Sequence, residues 1–162
     1  MSENNISLTP IGYAKSPFSR LANMPIQPKG AKGVIGEIII NPELAKGLSD
    51  LEGFSHIYLI YYFHKAGESK LTVKPFMDNK PRGVFATRSP IRPGHIGISI
   101  VELLSVDDNV LTISGIDLLD ETPILDVKPY IEKFDHPENS KSGWLNASED
   151  EISKKRSDDR FA

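Results

Sequence analysis

The chain has 162 residues, enough for one domain with a real core and too few for two comfortable ones. Hydrophobic residues make up 39% and charged residues 25%, which argues against wholesale disorder. The formal net charge of −3 argues against a broadly basic nucleic-acid binder: any RNA site must be a local basic patch, with salt-sensitive binding. In chain order, the polar stretch Met1 to Asn5 lacks a charged-then-apolar signal pattern. Residues 33–40 (GVIGEIII) are rich in β-branched residues and predict a strand. Asn41-Pro42-Glu43 then offers an N-cap, a proline at the first helical position and an acid in the first turn, predicting a short helix to about Gly47. Residues 56–63 (HIYLIYYF) form the longest apolar run, strand-sized and too short to span a bilayer. Further strands are predicted over 84–87, 96–106, 110–116 and 124–128, with Asp107-Asp108-Asn109 as a hairpin turn. From about Glu138 the chain turns polar and charged, with Trp144, Leu145, Ile152 and Phe161 as its anchors. Ser148 and Glu151 have capping-box spacing and predict a second short helix there.

The fold class expected is therefore all-β, six to eight short strands in a barrel or a sandwich, with one or two short helices. The division expected is a β domain over 1–137 and a charged tail over 138–162. Cysteine is absent, so no disulfide framework or thiolate metal site is expected, and the four histidines have no metal-ligand spacing. No metal and no membrane partner are expected, and a cytoplasmic protein is the simplest reading.

Three segments hold the candidate chemistry. Residues 81–99 (PRGVFATRSPIRPGHIGIS) carry three arginines among prolines and glycines. Prolines pre-set a backbone, glycines let a ligand approach it, and arginine presents a rigid fork of donors to a carboxylate or phosphate. The other reading is a turn whose arginines pair with surface acids. Residues 114–130 (SGIDLLDETPILDVKPY) place Asp117, Asp120 and Asp126 among apolar residues, either as bases or as turn acids bonded to backbone amides. Phe63-His64-Lys65 puts a histidine at the end of an aromatic strand, a ligand contact or simply a polar strand end. Neither a dinucleotide fingerprint, a P-loop nor a nucleophile elbow is present, and the alternating strands and helices of a doubly wound fold are missing.

Four stretches resemble the TrmO/TsaA-like family of S-adenosylmethionine-dependent tRNA methyltransferases. They are Ile11-Gly12 through Ser16-Pro17-Phe18, Leu51-Glu52-Gly53-Phe54-Ser55-His56 through His64, Arg82 through Ser99, and Leu118 through Tyr130. They stand in family order over roughly residues 10–135. The resemblance implies a single β-barrel that binds S-adenosylmethionine outside any Rossmann framework, as a homodimer with the site near the subunit interface. It implies N-methylation of threonylcarbamoyl-adenosine beside the tRNA anticodon. The implied cofactor contacts are Pro25, Gln27, His64, Lys65, Arg88, Ile98, Ser114, Gly115, Ile116 and Asp117. Asp117, Asp120 and His64 are the candidates for the base that takes the acceptor's proton. The sequence departs from the family where RPNPIG reads Arg92-Pro93-Gly94-His95-Ile96-Gly97, DGTP reads Asp120-Glu121-Thr122-Pro123, and PRQ reads Pro25-Ile26-Gln27. A module of the same fold that binds S-adenosylmethionine, with another acceptor or no catalysis, is the alternative.

Overall fold

Alternation of apolar and other residues along each strand decides which side chains point inward. In a computed structural model, which describes residues 4–162, six strands close into an antiparallel barrel. These are β1 (Gly12–Lys15), β2 (Ile35–Ile40), β3 (His56–Tyr62), β6 (Ile96–Asp107), β7 (Val110–Ser114) and β8 (Pro123–Pro129). Around the barrel the order is β1-β2-β7-β6-β3-β8. A separate ribbon pairs β4 (Thr72–Val73) with β5 (Arg82–Gly83). The all-β barrel expected is thus the fold found. Met1 to Glu3, part of the N-terminal stretch read above for a signal pattern, lie outside the described residues.

The core sits inside the barrel. Ile38, Ile57, Leu59, Leu111, Ile113, Ile116 and Ile124 are fully shielded, each from a position that the two-residue period or an adjoining turn aims inward. Turn chemistry sets the register of β6 against β7: Asp107 pairs with Val110, and Asp108 takes the left-handed conformation between them. Asn109 then donates from its side chain to Ile40 O at 2.7 Å, locking the hairpin to β2.

Two local expectations differ. Residues 84–87 form no strand; Val84–Ala86 is a 3-10 turn. Thr87 closes it, its amide and hydroxyl both donating to Val84 O, at 3.1 and 2.7 Å. The helix after Asn41 is also 3-10, Pro42–Leu48, and Asn41 makes no side-chain cap. Its Nδ2 instead donates to Pro10 O at 3.3 Å, and its amide donates to Ile11 O. Two short α-helices follow the barrel, α1 (Glu132–Asp135) and α2 (Glu149–Lys154). The predicted capping box at α2 is formed: Glu151 N donates to Ser148 Oγ and Ser148 N to Glu151 Oε2.

A second small core lies outside the barrel, where Val73, Val84 and Ile91 enclose Phe161 from the chain's end. Leu59→Ala in the main core is expected to cost about 2–5 kcal/mol of unfolding free energy, measured by urea denaturation. Leu104→Ala, on the exposed face of β6, is expected to cost much less.

Candidate active site

β7 ends at Ser114, which pairs with Ile35 of β2 and Glu102 of β6. Beyond it the amides of Gly115 and Ile116 donate to Val34 O, and the Asp117 side chain reaches Ser99 of β6. Gly115 has φ +88, a conformation a side chain rarely adopts, and it lies beside Pro28 O. Ile116 then turns into the core and Asp117 back toward the barrel wall.

Asp117 is part of a hydrogen-bonded chain. Ser99 Oγ donates to its Oδ1 at 2.8 Å, and Tyr61 OH is 2.9 Å from Ser99 Oγ. With the Ser99 proton committed to the carboxylate, Tyr61 is the donor to Ser99. Tyr61 and Ser99 are buried, and burial pushes the Asp117 carboxyl up to about 7. The Ser99 hydrogen bond, the Asp117 backbone amide and the positive charge of Arg88 pull the other way. Burial also raises the Tyr61 phenol far above its ordinary range, so it is a neutral donor at every pH of interest. Gly97 makes the chain possible: a Cβ there would overlap the rings of Tyr61 and Phe63, which meet edge to face at 5.3 Å.

The three arginines of the 81–99 segment separate by role. Arg82 Nε pairs with Asp78 at 2.6 Å and lies over the Trp144 ring, which is the surface-pairing reading. Arg92 Nη1 donates to Thr87 O at 2.7 Å and stiffens the loop. Arg88 is exposed, and its Nη1 donates to Gln27 Oε1 at 3.1 Å. Two predicted cofactor residues from distant parts of the sequence are therefore in contact, and Arg88 is close enough to act on the Asp117 carboxylate.

The predicted acids separate too. Asp120 Oδ1 accepts from Ser16 N at 2.9 Å, and Asp126 pairs with Lys128 at 2.9 Å while accepting from Val127 N. Both take the turn or pairing role. His64 follows β3, half-buried, its amide donating to Tyr62 O. Burial holds its imidazole below the usual range, helped by Lys65 and opposed by Glu121. Lys65 is exposed, and Pro25 is buried in a bridge to Arg156. Ile98 faces outward, opposite in sense to Ser99. Sequence reasoning gave no role to Tyr61, Gly97 or Ser99, although the two-residue period of Ile96-Gly97-Ile98-Ser99 already puts Gly97 and Ser99 on one face.

The arrangement is a small apolar barrel without a Rossmann sheet, carrying an arginine–glutamine contact and a half-buried, hydrogen-bonded carboxylate. Comparison with known proteins gives its family. The family model described as tRNA-methyltransferase O N-terminal domain matches residues 13–136. A probable S-adenosyl-L-methionine-binding protein of Pyrococcus abyssi is 47% identical over 156 residues, covering 96% of this chain and 85% of the relative. The human tRNA (adenine(37)-N6)-methyltransferase is 36% identical over 148 residues, covering 86% of this chain but only 33% of the human protein. A crystal structure of TrmO from Pseudomonas aeruginosa superposes with a TM-score of 0.73 at 37% identity, covering 86% of this chain and 62% of that one. The chain belongs to the TrmO/TsaA-like family.

Asp117 yields a prediction with a sign. A carboxyl whose folded pKa exceeds its unfolded value holds its proton more tightly when folded. Its contribution to stability is present below the unfolded value and is lost as pH rises from roughly 4 to about 7. Asp117→Asn keeps an acceptor for Ser99 but cannot ionise. Its unfolding free energy is expected to fall less than the native protein's between those pH values, measured by urea denaturation. Ser99→Ala is expected to raise the Asp117 titration further, read by carbon NMR of the carboxyl group.

Proposed function

We propose that this chain is an S-adenosylmethionine-dependent methyltransferase, that it N-methylates threonylcarbamoyl-adenosine beside the tRNA anticodon, and that it works in the cytoplasm as a homodimer. The observation that carries the reading is the Gln27–Arg88 contact set beside the Ser114–Asp117 turn, in a chain of this family. The residues fit the cofactor. Arg88 spends one donor on Gln27 and keeps others for a carboxylate. Gly115 offers backbone without a side chain. His64, Lys65, Pro25 and Ile98 complete the proposed contact set with Ser114 and Ile116.

The bound cofactor supplies an activated methyl group. The chain's residues hold the acceptor and manage its proton. An amine nitrogen that forms a new bond to carbon must shed a proton, and Asp117 is the group proposed to take it. Its carboxyl is poised near 7, where a general base works best, whereas Asp120 is tied to the Ser16 amide. An anticodon-loop base is unpaired and can be splayed into a pocket, which suits a chain of net charge −3. The mammalian relatives named for N6 of adenine 37 support the position of the acceptor, and its threonylcarbamoyl group rests on the family resemblance.

The outer wall of β3 and β6 supports the dimer. Tyr58 faces Ile100, Ile60 faces Ile98 and Tyr62 faces Ile96 across the two strands, and the three isoleucines of β6 are each 40–43% exposed. A contiguous apolar face of this kind marks an interface. Ile98 belongs to both the face and the proposed cofactor set, so a second copy seated there would border the site. Ile100→Asp is expected to give monomers in sedimentation velocity.

A second reading, a binding module without turnover, is favoured by the name of the Pyrococcus relative at 47% identity. Methyl transfer from labelled S-adenosylmethionine to tRNA bearing the unmethylated threonylcarbamoyl group separates the two. Transfer is expected, and binding without transfer would favour the module. Arg88→Ala is expected to weaken cofactor binding by about 1.5–3 kcal/mol with an unchanged thermal transition. An unaltered affinity would move the site elsewhere.

A further inference from the structure

The charged C-terminal segment touches the two loops that carry Gln27 and Arg88, and it touches them separately. On one side Ser157 stitches residues 21–24. Its amide donates to Met24 O at 2.8 Å, its carbonyl accepts from Asn23 N at 2.7 Å, and its hydroxyl accepts from Met24 N at 2.9 Å while donating to Leu21 O. Arg156 bridges to Pro25, and its Nη2 donates to Gly30 O. Lys29 pairs with Glu149 of α2 at 2.7 Å. These contacts bracket Gln27 from both directions along the chain.

On the other side Phe161 enters the small core of Val73, Val84 and Ile91, and meets Phe76 edge to face at 4.9 Å. Its carbonyl accepts from Gly67 N at 3.1 Å. Trp144 Nε1 donates to Ala86 O at 2.8 Å, two residues before Arg88. Val84 and Ile91 bracket Arg88 in the same way that Met24 and Gly30 bracket Gln27. The segment lies beyond residue 136, where the family match ends.

We propose that residues 144–162 are a clasp that sets the cofactor site, fixing the Gln27 loop against the Arg88 loop, with Ser157 and Phe161 as its positioning residues. The proposal rests on the cofactor reading above, and neither residue touches the ligand. Gln27 and Arg88 sit on loops outside the barrel ladder, 61 positions apart in sequence, and loops without such ties sample many arrangements. Holding them together before the ligand arrives lowers the ordering cost of binding. The acids of the segment serve the clasp: Glu149 meets Lys29, Glu151 caps α2, and Asp158 holds Arg160, which lies over Phe76 at 4.7 Å.

Two readouts on the full chain test this. The first is hydrogen exchange of the ligand-free protein. In Ser157→Ala and Phe161→Ala, the amides of Gly30, Val34, Val84 and Thr87 are expected to exchange about tenfold faster, with those of β3 and β6 unchanged. The unchanged barrel amides show that each variant is folded. The second is calorimetric affinity for S-adenosylmethionine. Ser157→Ala is expected to lose about tenfold, Ser157→Thr to restore most of it, and Ser157→Ala to add nothing in an Arg88→Ala background. Unchanged exchange in both loops overturns the clasp, as does a Ser157→Ala loss that persists in full without Arg88. A native protein that binds no S-adenosylmethionine overturns the cofactor reading instead, and the exchange readout alone then decides whether the segment fixes the two loops.

Discussion

Closure of the barrel rests on its shortest wall strand. β1 has four residues, yet it pairs with β2 on one side and with β8 on the other. A six-stranded sheet without that double pairing would expose two rows of unpaired amides and carbonyls, with an apolar inner face between them. Gly12 sits where both ladders meet, against the backbone of Ile39 and Ile40. Once closed, the interior admits only side chains, and Ile38, Ile57, Leu59, Leu111 and Ile113 fill it. The proposed cofactor residues, Arg88, Gln27 and the Ser114–Asp117 turn, lie on the wall and on the loops.

A polar intrusion into that wall is the hydrogen-bonded chain Tyr61, Ser99, Asp117. An isolated carboxylate in such surroundings would simply stay protonated. Two hydroxyls in line, with the charge of Arg88 nearby, offset part of the burial cost and bring the group to the middle of the pH range. That intermediate position is what the general-base role proposed for Asp117 requires. The same arrangement explains a motif that chemistry alone left unassigned. In Ile96-Gly97-Ile98-Ser99 the isoleucines form the outer apolar face, Gly97 clears space for the Tyr61 ring, and Ser99 donates a hydrogen bond to the carboxylate.

Much of the fold was legible because long strands declare themselves. The runs at 35–40, 56–62 and 96–107 have the branched and aromatic residues and the alternation that a half-buried wall requires. β1, β4 and β5 were not, since two to four residues carry too little periodicity to separate a strand from a loop. Residues 84–87 misled by composition: Val84 and Phe85 suit a strand, but the Thr87 hydroxyl closes a tighter turn. In the site, the residue types were readable and their partners were not. Three arginines and three aspartates looked equivalent until Asp78, Thr87 O, the Ser16 amide and Lys128 claimed four of them. The contacts of residues 144–162 were the least legible, because a charged, proline-poor segment gives no sign of which distant loop its few anchors will meet.

The central claim is that Arg88, Gln27 and the Ser114–Asp117 turn form a site for S-adenosylmethionine despite the altered Gly94-His95 loop. Isothermal titration of the purified, folded protein with S-adenosylmethionine, at low and at moderate salt, tests it most directly. The account predicts saturable binding at one site per chain. Heat indistinguishable from dilution, in a sample that keeps its β-sheet spectrum and cooperative melting, would contradict it and leave only the fold.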